Sequence, residues 1–178
     1  MSRIPTHTAE DAPVASRPLL QKLSQSSPTG RFLNLHAQMA HSPAVLAAYM
    51  SLRATIAEHG SFDPKVSAAL ALATAGTVGN DYMTAIASRL AQMSGWTEEQ
   101  VAALRAGNPT SDAKINVLTR LIREAAAHSG NVTDDTWKAA QQVGWSDDQL
   151  ADAFAYLGLT VFTGYFLNYA QTDADALW

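Results

Sequence analysis

The chain contains no cysteine, which closes to it thiolate nucleophiles, disulfides and thiolate metal ligands. Of the five histidines, His36 is the natural candidate for an acid–base group at neutral pH. The competing reading is a solvated or core-satisfied imidazole. His41 reads as local structure beside the Ser42 cap, His59 as a cation suited to a helix C-terminus, and His7 and His128 as surface residues. The histidines are widely spaced, with no His-x3-His or Glu-x-x-His pair, so no metal site and no cofactor is expected. Tyr165 and Tyr169 fall one helical turn apart on one face. Such a pair is commonly core, yet a buried phenol needs a hydrogen-bond partner, which a ligand oxygen could supply. Asn80 and Asp81 have residue types that cap a helix as readily as they bind a ligand.

Composition narrows the partners. Sixteen acids against twelve bases give a net charge of −4, and the bases are scattered. No electrostatic reason to bind nucleic acid follows. The N-terminal stretch carries prolines and acids where a signal peptide would have an apolar core, and the expected location is cytoplasmic. The most apolar stretch, 153–170, is interrupted by Gly158, Thr160, Thr163, Gly164 and Asn168 and flanked by acids. A helix buried on most sides explains it better than a membrane span.

The elements that must position these groups are helices. Residues 1–30 read as an irregular strap with a short helix near Leu19–Leu23. Beyond it, Ser42-Pro43 starts a helix that Gly60 closes, with Val45, Tyr49, Leu52 and Ile56 as its apolar stripe. Asp63-Pro64 starts the next, ending near Gly76. Another spans 80–94, with Gly95 as its stop. Thr97 with Gln100 and Ser146 with Gln149 are capping boxes, and Ser111 and Thr133 are further N-caps. No segment alternates with period two, so the fold class is all-α.

Two stretches repeat. Gly95-Trp96-Thr97-Glu98-Glu99-Gln100-Val101-Ala102 matches Gly144-Trp145-Ser146-Asp147-Asp148-Gln149-Leu150-Ala151 at an offset of 49 residues. Asp63-Pro64-Lys65-Val66 matches Asp112-Ala113-Lys114-Ile115 at the same offset. Two anchors at one spacing point to an internal duplication, with repeats at 61–108 and 110–157 inside a single 1–178 domain. Two copies are too few for a solenoid.

The order of these features resembles the carboxymuconolactone decarboxylase family, which includes the alkylhydroperoxidase D-like proteins. The likeness runs from Phe62, Asp63 and Pro64 to Gly107. It extends to Ala40-His41-Ser42-Pro43 and to the helix around Phe166, Leu167 and Asn168. Redox members carry a Glu, a Cys-x-x-Cys at a helix start and a His four residues later; the helix dipole lowers the thiol pKa and the His relays protons. On this chain Ala68 stands at the Glu position, Asn80 and Met83 at the two cysteines, and Ala87 at the His. Peroxidase chemistry by the family route is therefore excluded, and Ala87 also argues against the decarboxylase route.

The resemblance implies an alkylhydroperoxidase D-like helical bundle that forms a homo-oligomer. It also implies a pocket lined from the 31–50 region, the start of the 80–94 helix and the C-terminal helix. Within that lining, His36, Tyr165 and Tyr169 are the catalytic candidates, and Asn80, Asp81, Met83, Ala87 and Asn168 the ligand-binding ones. The expected function is non-redox acid–base chemistry on an organic acid, lactone or carbonyl compound. The alternative is an inactive ligand-binding or scaffold homologue.

Overall fold

Capping side chains and glycines set the helix limits in the computed structural model, which describes residues 2–27 and 29–175. Met1 and 176–178, the ends of the expected 1–178 domain, and position 28 of the expected strap lie outside the described residues. In chain order the elements are α1 (Arg17–Ser26), α2 (Asn34–Met39), α3 (Pro43–His59), α4 (Pro64–Val78), α5 (Asp81–Met93), α6 (Glu98–Ala106), α7 (Ala113–Ala127), α8 (Asp134–Gln142) and α9 (Asp147–Ala170). Among the described residues there is no strand.

Two expectations at the local level are corrected. The cap of α7 is Asp112 rather than Ser111, because its carboxylate accepts the Ile115 N–H at 3.0 Å. Gly76 does not end α4, which continues to Val78 and stops at Gly79 with φ of 72°. Gly76 is instead a packing residue, since a Cβ there would meet the Arg105 carbonyl at 2.9 Å. The short α2, buried at five of its six positions, has no amphipathic pattern to announce it.

The chain falls into two compact units, one of Ile56–Tyr165 and one combining Met1–Thr55 with Phe166–Trp178. In the first, α4 packs against α5, α6 and α7, and α7 against α8. α4 is largely buried; Ala69, Ala73 and Ala75 let its neighbours approach closely, and Leu70 and Leu72 fill the space between. Its buried Thr74 hydroxyl is satisfied by the Leu70 carbonyl at 2.8 Å.

The duplication is physical as well as textual. Trp96 donates its indole N–H to the Lys65 carbonyl at 2.9 Å, and Trp145 donates to the Lys114 carbonyl at 3.0 Å. The ammonium of Lys65 lies 4.6 Å above the Trp96 ring, and that of Lys114 lies 4.3 Å above Trp145. Both turns into the indole rely on a glycine at positive φ, Gly95 at 91° and Gly144 at 88°. Asp63 and Asp112 cap α4 and α7 in the same way. Each tryptophan thus joins the start of one helix to the entry of another, with lysine closing the ring's open face.

In the second unit Leu20, Leu35, Met39 and Leu46 form the core with Leu167. The buried Ser16 hydroxyl donates to the Ala40 carbonyl at 2.7 Å. The N-terminal segment is tied down by the Arg3 N–H, which donates to the Ala170 carbonyl at 2.8 Å.

α9 departs from the sequence expectation. It is 24 residues long and, by length and composition, apolar enough to cross a membrane, yet only 39% of its most apolar window is buried. It is therefore not buried on most sides. Thr160 and Thr163 satisfy their hydroxyls within the helix, on the carbonyls of Tyr156 and Leu159. Phe154, Tyr165 and Tyr169 are 65%, 61% and 72% exposed.

Candidate active site

α2 and α3 together build the polar cluster with the most chemistry, within the unit of Met1–Thr55 and Phe166–Trp178. His36 sits in the first turn of α2 and is buried. Its Nδ1 accepts the Leu33 backbone N–H at 3.2 Å, which satisfies one of the donors left open at the helix start. That assignment leaves the proton of the neutral ring on Nε2, which donates to the Tyr49 hydroxyl oxygen at 3.4 Å. The two rings are 5.4 Å apart at a 45° tilt.

Electrostatics fix the protonation states. Burial, then the nearby Arg53 guanidinium, pull the His36 pKa from 6.5 to about 4. Burial pushes the Tyr49 phenol above its ordinary value, while the nearby Arg53 charge opposes that rise. At neutral pH the cluster therefore holds a neutral imidazole, a protonated phenol and an arginine. Its chemical capacity is a phenol O–H whose conjugate base would be stabilised by an imidazole N–H and a guanidinium.

Tyr49 and Arg53 are the residues that sequence reasoning passed over. Tyr49 reads as part of the α3 apolar stripe, and Arg53 is not singled out. The available signal is their i, i+4 spacing, which places a cation one turn beyond a phenol.

Asn168 and Tyr169 belong to the same unit as His36 and are exposed on the last turns of α9. The other predicted residues belong to the unit of Ile56–Tyr165. Asn80 is the N-cap of α5 and accepts the Met83 N–H at 2.7 Å. Asp81 follows it, exposed, in the first turn. Met83 and Ala87 are buried on the inner face of α5 and present no titratable group. Tyr165 is exposed on α9. Among the described residues no group of three or more His, Cys, Asp or Glu side chains could hold a metal ion.

The fold is that of the alkylhydroperoxidase D-like proteins. The chain is similar in structure to an uncharacterized peroxidase-related protein from Ralstonia eutropha JMP134, an alkylhydroperoxidase AhpD core. The TM-score is 0.85 at 13% identity over 98% of this chain and 93% of that one. It is also similar to the debrominase Bmp8, with a TM-score of 0.82 at 13% identity over 99% and 94% of the two chains. A peroxidase-related protein from Silicibacter sp. TM1040 gives 0.78 at 15% identity over 99% and 96%. No protein-family model matches the sequence, and no curated protein matches it significantly. This chain differs from any thiol-dependent catalyst in having no cysteine.

Proposed function

We propose that the protein is a non-redox enzyme acting by acid–base chemistry on a small organic acid, lactone or carbonyl compound. The observation that carries this reading is the buried His36–Tyr49 pair, with the exposed Arg53 beside it, in a chain without thiols. Tyr49 would give its hydroxyl proton to the oxygen of a carbonyl or enolate. The phenolate formed would be held by the His36 Nε2–H and the Arg53 guanidinium, and would take the proton back as product leaves. His36, the acid–base group expected from sequence, then acts as a neutral donor that positions and stabilises Tyr49. Support for a small organic substrate comes from Bmp8, named a debrominase, of which a variant has been crystallised with 2,3,4-tribromopyrrole. In the other unit, Asn80, Asp81, Met83 and Ala87 are the residues proposed for ligand binding.

The test is turnover of a panel of lactones, 2-oxo acids and β-keto acids by the purified chain, with Tyr49→Phe and His36→Gln beside it. Loss of about a hundredfold in either variant with unchanged folding is expected, the usual scale for one acid–base group. Binding of panel members with no turnover of any would move the protein to the inactive ligand-binding reading.

The reading includes a cytoplasmic homo-oligomer. Phe154 and Tyr165 stand exposed on α9, three turns apart, large apolar side chains that an interface would cover. A second copy laid over these two side chains would cover them, and Tyr165 would then line a subunit boundary. Light scattering should show an assembly for the native chain and a smaller species for the double variant Phe154→Ser, Tyr165→Ser. A native monomer would refute the assembly.

A further inference from the structure

A surface cavity of about 210 Å³ lies between the end of α6 and the middle of α7, wholly within the unit of Ile56–Tyr165. Leu104, Pro109 and Val117 give it apolar walls, and Arg120, Arg123 and Asn108 its polar groups. Arg123 is half-buried. Its guanidinium donates to the Leu104 carbonyl, to the Arg105 carbonyl at 3.2 Å and to the Thr77 hydroxyl at 3.3 Å. It thereby caps the C-terminus of α6, and these bonds hold its plane rigid. Gly107 lies against that guanidinium, where a Cβ would stand 3.4 Å from its central carbon. The loop that carries Pro109 is also fixed, because Asn116 accepts the Thr110 N–H and returns a bond to the Thr110 carbonyl, each at 2.8 Å.

The charges of this cavity are unbalanced. Acids outnumber bases sixteen to twelve in the chain. Even so, among the described residues no carboxylate pairs with Arg120 or Arg123. Arg120 stands one turn before Arg123 on α7 and is exposed, with its donors unused among the described residues. Burial holds the Arg123 pKa below its ordinary value, so its cation is incompletely compensated. An anion in the cavity, beside both arginines, would offset that cost. A carboxylate matches the planar fork of a guanidinium, and the leucine, proline and valine walls suit an apolar body behind it.

We infer that this cavity is a binding site for a small apolar carboxylate, such as an aromatic or short branched acid, held by Arg120 and Arg123. The site uses none of the residues of the His36 cluster. Its occupant would brace the α6–α7 connection, tying ligand binding to the unit's stability.

The probe is benzoate, titrated by calorimetry and by amide shifts against the native full chain. Benzamide serves as the neutral isostere and inorganic phosphate as an anion without an apolar body. Saturable benzoate binding is expected, with shifts centred on 104–123 and at least about tenfold weaker binding of benzamide and phosphate. Arg120→Ala should weaken benzoate at least about tenfold while leaving the thermal midpoint near that of the native chain, because its side chain braces nothing. Arg123→Lys keeps a positive charge but gives up the bonds that hold it across the end of α6, and should also weaken binding. Benzoate binding that is absent, is matched by benzamide or phosphate, or survives Arg120→Ala overturns the proposal.

Discussion

Replacing Trp96 or Trp145 with alanine should destabilise the protein by about 3–5 kcal/mol each, the range for truncating a buried tryptophan. Both indoles are nearly fully buried, at 3% and 6% exposure. Each loses three things at once: apolar burial, the hydrogen bond to the carbonyl of Lys65 or Lys114, and the lysine stacked on its face. The carbonyl left behind adds to the cost where water cannot reach it. Trp→Phe should fall well short of the alanine value in both copies. Urea unfolding of the four variants checks this. Similar losses at the two sites are expected because their geometry is nearly superposable; a loss under about 1 kcal/mol at one of them would show that the duplicated motif is not holding its helices.

The second large effect is a pH dependence. His36 binds its proton near 6.5 when unfolded and only near 4 when folded. Between those values the unfolded chain is protonated at this site and the folded chain is not, so acid favours unfolding. The stability is whole above pH 6.5 and drains away as pH falls towards 4. The displacement corresponds to roughly 3 kcal/mol over that interval. His36→Gln should lose less than the native chain on acidification, and the difference between the two, measured by urea unfolding at pH 7.5 and 4.5, isolates the imidazole. Parallel pH curves would mean that His36 titrates normally and is not held neutral by burial and Arg53.

Much of the fold is legible in the sequence because its punctuation is local. Gly95 and Gly144, the two capping boxes and the aspartates at 63 and 112 act on backbone groups within a few residues, so their types and spacing suffice. Gly76 misleads for the opposite reason: what it answers to is the Arg105 carbonyl, distant in sequence and close in space. Ser111 and Asp112 are both good caps, and only the reach of the carboxylate to Ile115 decides between them. α9 reads as buried because its residues are apolar, but exposure depends on what covers it. The candidate site is half legible. His36 stands out by type; the i, i+4 spacing of Tyr49 and Arg53 relates them to each other, but they become partners of His36 only when α2 is placed beside α3, a tertiary fact.

The most direct test of the central claim is a pH profile of turnover for the native chain and His36→Gln, on whichever panel compound is turned over. The predicted profile for the native chain is flat through pH 6.5 and falls on an acid limb near pH 4 to 5, where protonation of the imidazole Nδ1 expels the Leu33 N–H it accepts and unseats the ring from Tyr49. His36→Gln should turn over about a hundredfold more slowly and lack that limb. An acid limb at pH 6.5, or a His36→Gln enzyme as fast as the native one with the same profile, would contradict acid–base catalysis at the His36–Tyr49–Arg53 cluster.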